Sequence, residues 1–104
     1  MDEMRSLSYS MIFEVLAALS RGPLTIEQVS KTCKVQQIYL HAVISSAISC
    51  GLIEKRSGEF LLTKKGARTA IYILIVNDGM DYNSGDYRAL MRAFDKALES
   101  DAQV

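Results

Sequence analysis

The chain has 104 residues, about half of them apolar, with one histidine, two cysteines and no net charge. That length supports one domain around one core. Its longest apolar run, residues 70–76, is far too short for a bilayer span, and the opening Met1-Asp2-Glu3-Met4-Arg5 lacks a basic-then-apolar secretion signal, so a cytoplasmic protein without a membrane partner is expected.

In chain order, a first helix is expected over about Ser8 to Ser20, where Tyr9, Ile12, Phe13, Leu16 and Leu19 recur at helical spacing, widened by Met11, Val15 and Ala18. Arg21-Gly22-Pro23 stops it, because Pro23 disfavours a helical residue before it. Thr25-Ile26-Glu27-Gln28 fits a capping box that opens a second helix, with Ile26, Val29 and Cys33 as its apolar face. After a turn at Lys34-Val35, with Val35 plugging the space between helices, a third helix spans about Gln36 to Cys50. Leu40, Val43, Ile44 and Ala47 form its inner face. Gln37, Ile38, Tyr39, His41, Ala42, Ser45 and Ser46 lie elsewhere and carry no Lys or Glu. An uncharged outer surface of this kind suits a helix that enters a groove and reads base edges.

Gly51 is placed to close that helix in the left-handed conformation. Leu52-Ile53 and Phe60-Leu61-Leu62 are short strand candidates joined at Ser57-Gly58, a two-residue loop of the primed-turn type. Thr63 then caps a fourth helix that starts near Lys64 or Lys65 and runs through Ile75. The block Ala70 to Val76 is apolar all round. Its β-branched content also suits a strand, but no turn signal separates it from Thr63-Lys64-Lys65-Gly66. An all-round apolar helix needs cover on every side, and a partner subunit is the simplest cover. After Asn77-Asp78-Gly79 and a polar connector, a last helix over about Ser84 to Ser100 presents Tyr87, Leu90, Met91, Phe94 and Leu98 on one face. Asp78, Asp81 and Asp86 do not match the EF-hand spacing, and turn chemistry accounts for them. Cys33 and Cys50 have no partner set for zinc. Cys33 reads as a packed thiol and Cys50 as an exposed one. No metal or other cofactor is expected.

Charge is unevenly spread. Residues 20–69 hold eight basic and three acidic side chains, a net of +5, whereas residues 70–104 carry −3. That asymmetry suggests a basic working face and an acidic body. A helix followed at once by a basic-tipped hairpin, Lys55-Arg56-Ser57-Gly58, reads as the wing of a winged helix-turn-helix.

Leu24-Thr25-Ile26-Glu27-Gln28-Val29, Lys34-Val35, Ile48-Ser49-Cys50-Gly51-Leu52-Ile53-Glu54 and Phe60-Leu61-Leu62-Thr63-Lys64-Lys65-Gly66 together resemble the winged-helix domain of MarR-type regulators and of small archaeal winged-helix DNA-binding proteins. The resemblance covers roughly forty residues closely. It implies a homodimer joined through terminal helices, the third helix in the major groove, and the wing on the backbone or minor groove. The wing is shorter than is common in MarR-type proteins, and there is little room for an effector pocket, so no small-molecule effector is indicated.

The expected fold class is therefore mainly α with a small β-hairpin wing (α+β). Residues 1–69 form the DNA-binding part and residues 70–104 the dimerisation helices of one compact domain. The expected function is a homodimeric double-stranded DNA-binding protein, a nucleoid-associated transcriptional regulator. The alternatives are an architectural chromatin protein and a winged helix used for protein contacts. Lys31, Lys34, Lys55, Arg56, Lys64, Lys65 and Arg68 are the expected phosphate contacts, with Ser57 at the wing tip. Gln36, Gln37, Ile38, Tyr39, His41 and Ser45 are the expected base-side contacts. Ile71, Leu74, Ile75, Tyr87, Leu90, Met91, Phe94 and Leu98 are the expected dimer interface. One histidine, no nucleophile–base spacing and no Gly-rich phosphate loop argue against an enzyme.

Overall fold

The structure is a computed structural model that describes the backbone of residues 2–76 and 85–99 and the side chains of residues 10–76 and 88–99. Among the described residues, five helices and three short strands follow the order α1 (Asp2–Ala18), β1 (Leu24–Thr25), α2 (Ile26–Thr32), α3 (Gln37–Ser49), β2 (Ile53–Arg56), β3 (Glu59–Leu62), α4 (Lys64–Val76) and α5 (Gly85–Glu99). The chain is mainly helical with one small antiparallel sheet of order β1-β3-β2.

Local chemistry sets most boundaries. α1 begins six residues before the expected Ser8. The apolar stripe that marks the expected start lies further along the helix. Thr25 and Gln28 form the expected capping box, each side chain accepting from the other's backbone N–H at 3.3 and 2.9 Å. α3 ends in a Schellman motif: the Leu52 N–H donates to the Ala47 carbonyl at 2.9 Å and the Gly51 N–H to the Ile48 carbonyl at 3.0 Å, with Gly51 at φ +75°. Ser57 and Gly58 both take positive φ, 51° and 81°, as a type I′ hairpin turn requires.

β1 has no counterpart among the expected elements. Leu24 and Thr25 pair with Phe60 and Glu59 of β3, so the hairpin gains a third strand from the segment ahead of α2. The sheet thereby ties both ends of the α2–α3 pair to one frame.

The core gathers Ile12, Val15, Leu16 and Leu19 of α1, Val29 of α2, Leu40, Val43, Ile44 and Ala47 of α3, and Phe60 and Leu62 of β3. Cys33 and Val35 are buried in the turn between α2 and α3. α4 is covered more fully by its own chain than its apolar sequence led one to expect. Ala67, Ala70 and Leu74 are fully buried, and α4 packs against both α1 and α5. Phe94 of α5 is also fully buried, with its ring edge-on to Phe13 of α1 at 6.4 Å between centroids.

One junction joins α3, the hairpin and α4. The Thr63 hydroxyl lies 2.6 Å from the Gly51 carbonyl and 2.9 Å from the Leu52 carbonyl, and it accepts from the Gly66 N–H at 3.0 Å. The Thr63 N–H donates to the Leu52 carbonyl at 3.1 Å. Gly66 is buried against that carbonyl. A Cβ at this position would overlap the Leu52 oxygen and stand 2.9 Å from Leu62 Cδ1.

Two substitutions test this joint. Gly66→Ala should destabilise the fold by about 2–3 kcal/mol, because backbone atoms cannot rotate out of the way. Thr63→Val, which keeps shape but removes the hydroxyl, should cost about 1–3 kcal/mol through the buried polar groups left unpaired. Urea unfolding that gives wild-type midpoints for both would remove the junction from the stability argument.

Candidate nucleic-acid interface

α3 is built as a two-faced helix. Leu40, Val43, Ile44 and Ala47 turn inward and are buried. The helical period puts Ile38, Ala42, Ser45 and Ser49 along the line farthest from that face, with Gln37, His41 and Ile48 on one flank and Tyr39 and Ser46 on the other. All of these outward residues are exposed. Ile38 stands out at 77% exposure, and Tyr39 follows at 44%. No Asp, Glu, Lys or Arg occurs anywhere in α3.

The N-terminal end of the helix is held by backbone geometry. Gln36 is the N-cap residue in extended conformation, and its side chain makes no capping bond. Gln37 is anchored instead: its Nε2 donates to the Ser30 hydroxyl of α2. That contact uses one of the two amide hydrogens and leaves Oε1 and the second hydrogen available.

Basic groups stand at both ends of this uncharged face. Lys34 precedes the N-cap by two residues and is exposed, its backbone N–H approaching Glu14 Oε1 at 3.4 Å. Lys31, in the last turn of α2, is also exposed. At the other end, Lys65 Cδ lies 3.8 Å from where a Gly51 Cβ would stand, so its stem passes the C-terminal end of α3. Arg68, one turn further along α4, is exposed, and Lys64 is half-buried.

The hairpin is less basic than its tip suggested. Lys55 and Arg56 share it with Glu54 and Glu59. Arg56 Nε pairs with Glu54 Oε1 at 2.8 Å, and Glu59 stands across the ladder from Arg56. Lys55 sits over the Phe60 ring, 5.7 Å from its centroid. The hairpin is thus near neutral, α2 balances Lys31 with Glu27, and the excess of positive charge lies on Arg21, Lys34 and the start of α4. The count along the chain already gives two acids against two bases here; what the strands add is which of them pair.

The expected interface residues of the C-terminal helices divide. Leu74 of α4 and Phe94 of α5 are fully buried in the chain's own core, where α1, α4 and α5 pack on one another. Ile71, Leu90, Met91 and Leu98 pack partly against that core. Ile75 is 54% exposed, and its neighbours Tyr72 and Val76, absent from the expected set, are 63% and 51% exposed. The side chain of Tyr87 lies outside the described residues, as do Tyr9, Asp78, Asp81 and Asp86. Among the described residues, no cluster of three or more His, Cys, Asp or Glu could hold a metal ion. No helix among them is long and apolar enough to cross a membrane. No protein-family model, no curated protein and no solved structure matches the chain.

Both cysteines are free, Cys33 buried and Cys50 exposed. An aromatic disulfide reagent should therefore titrate one thiol per native chain rapidly and the second only after unfolding. Fast reaction of both in the native state would mean that the α2–α3 turn opens readily.

Proposed function

We propose that this chain is a winged helix-turn-helix protein that binds double-stranded DNA as a homodimeric transcriptional regulator. α3 enters the major groove, and the β2–β3 hairpin acts as the wing. The observation that carries this reading is the uncharged, exposed face of α3 with lysines at each of its ends. A helix of thirteen residues is about 20 Å long, enough to lie along the groove while its flanking cations meet the phosphates on either side. The element order, with α2 and α3 joined by a short turn and followed by a hairpin, supports the same reading.

Positioning falls mainly to Lys31, Lys34, Lys64, Lys65 and Arg68. The wing contributes less than a basic tip would, because Glu54 holds Arg56. In binding titrations on a duplex at varied salt, Lys64→Ala with Lys65→Ala should reduce the log–log salt slope by about two units, since each lost phosphate contact removes roughly one. Lys55→Ala with Arg56→Ala should remove only about one. Absence of binding at low salt would refute the DNA reading and favour a protein partner for the exposed Ile38 and Tyr39.

The homodimer rests on Tyr72, Ile75 and Val76, which continue one face of α4 at i, i+3 and i+4. Their joint exposure leaves an apolar patch of the kind that marks protein contacts. Tyr72→Glu with Val76→Glu should convert a sedimenting dimer to a folded monomer and weaken DNA binding through loss of the second half-site. Wild-type protein that sediments as a monomer at micromolar concentration would remove the dimer from the proposal.

A further inference from the structure

We propose that α3 selects A·T base pairs, and that it does so by packing Ile38 against thymine methyl groups. This rests on the DNA-binding reading above and names the class of duplex that the face recognises.

The major groove distinguishes base pairs by a few chemical signals. Guanine offers two acceptors, O6 and N7, which are met by the paired donors of Arg or Lys. Cytosine offers an amino donor, which is met by Asp or Glu. Thymine offers a methyl group, and adenine an N6 donor beside an N7 acceptor, which a Gln or Asn amide can match. α3 contains no Arg, Lys, Asp or Glu, so it lacks the side chains that favour a G·C pair. The single imidazole of His41 does not supply the two-donor fork that guanine calls for.

What α3 does present fits the A·T signals. Ile38 is the most exposed large apolar side chain among the described residues and lies on the outermost line of the helix. Ala42 follows one turn later on the same line. An isoleucine left in water here gains by burying its surface, and thymine C5-methyl groups are the apolar feature of the major groove. Beside them stands Gln37, held by Ser30 with its Oε1 and one amide hydrogen still available. Those two groups are the acceptor and donor that adenine N6 and N7 require. Ser45 can bond to either kind of pair and adds no bias.

The lysines explain why DNA, and not an apolar protein groove, is the chosen occupant. Lys34 and Lys65 stand near the two ends of α3, which favours an occupant that offers anions near both ends and neutral groups between them. A duplex groove has that arrangement, with phosphates on both walls and bases on its floor.

Removing the methyl isolates the claim. Full-length protein would be titrated at low salt against four synthetic duplexes: alternating dA-dT, alternating dA-dU, alternating dG-dC, and alternating dG with 5-methyl-dC. Exchanging dT for dU deletes the major-groove methyl and leaves the minor groove and the pairing unchanged. Wild type should bind the dA-dT duplex about tenfold or more tighter than the dG-dC duplex. It should also bind dA-dT roughly fourfold tighter than dA-dU, the value of one buried methyl. 5-Methyl-dC should recover part of the loss on dG-dC. Ile38→Ala should bring the dA-dT to dA-dU ratio close to one, while Lys64→Ala with Lys65→Ala should lower affinity for all four duplexes alike. Measurable binding with equal affinity for dA-dT and dA-dU would overturn this inference and leave the DNA-binding reading intact. No binding to any of the four would overturn both.

Discussion

The carbonyl of Leu52 is the point on which the arrangement depends. It lies two residues beyond the C-cap of α3 and accepts the backbone N–H of Thr63, the residue just before α4, whose one hydroxyl proton faces both this carbonyl at 2.9 Å and that of Gly51 at 2.6 Å. Gly66 is pressed against the same oxygen. The end of one helix, the base of the hairpin and the start of the next helix are therefore fixed by a single group. This geometry carries Lys65 back over the C-terminal end of α3. A shift of α4 by one turn would move it about 5.4 Å, away from that end of the helix. The place of Lys65 thus follows from a buried hydrogen-bonding joint.

What the sequence made legible is chemistry between near neighbours. The Thr25–Gln28 capping box, the Gly51 helix closure, the Ser57-Gly58 turn and the Thr63 cap each involve residues within a few positions of one another. Their spacing therefore states their geometry. The inward and outward faces of α3 were legible for the same reason, since one period orders them.

The parts that were not legible depend on distant partners. β1 is a strand only because β3 passes beside it, and Leu24-Thr25 alone carries no strand pattern. The hairpin's charge could be counted but not paired until the ladder placed Glu54 beside Arg56 and Glu59 across from it. α4 reads as apolar on every side, and composition does not say how many neighbours a helix has. Its own chain buries Leu74 and leaves Tyr72, Ile75 and Val76 outside. The exposed apolar surface of α4 is therefore narrower than its all-round apolar sequence suggests.

Among the described residues, the exposed large apolar side chains lie on α3 and α4, and the two sets differ in kind in a way that fits the different partners proposed for them. On α4, Tyr72, Ile75 and Val76 are large and adjoin one another. Burying them gains most when water is excluded altogether, as at the core of a protein–protein contact. On α3, Ile38 and Tyr39 are set among Gln37, His41, Ala42, Ser45, Ser46 and Ser49. A dry protein groove would strand those hydroxyl and amide groups without partners, at a cost comparable to the apolar gain. A nucleic-acid groove supplies donors, acceptors, methyl groups and bridging water together. The mixture of small polar groups around Ile38, Tyr39 and Ile48 is therefore better matched to a wet groove floor, and the apolar side chains of α4 to another protein surface.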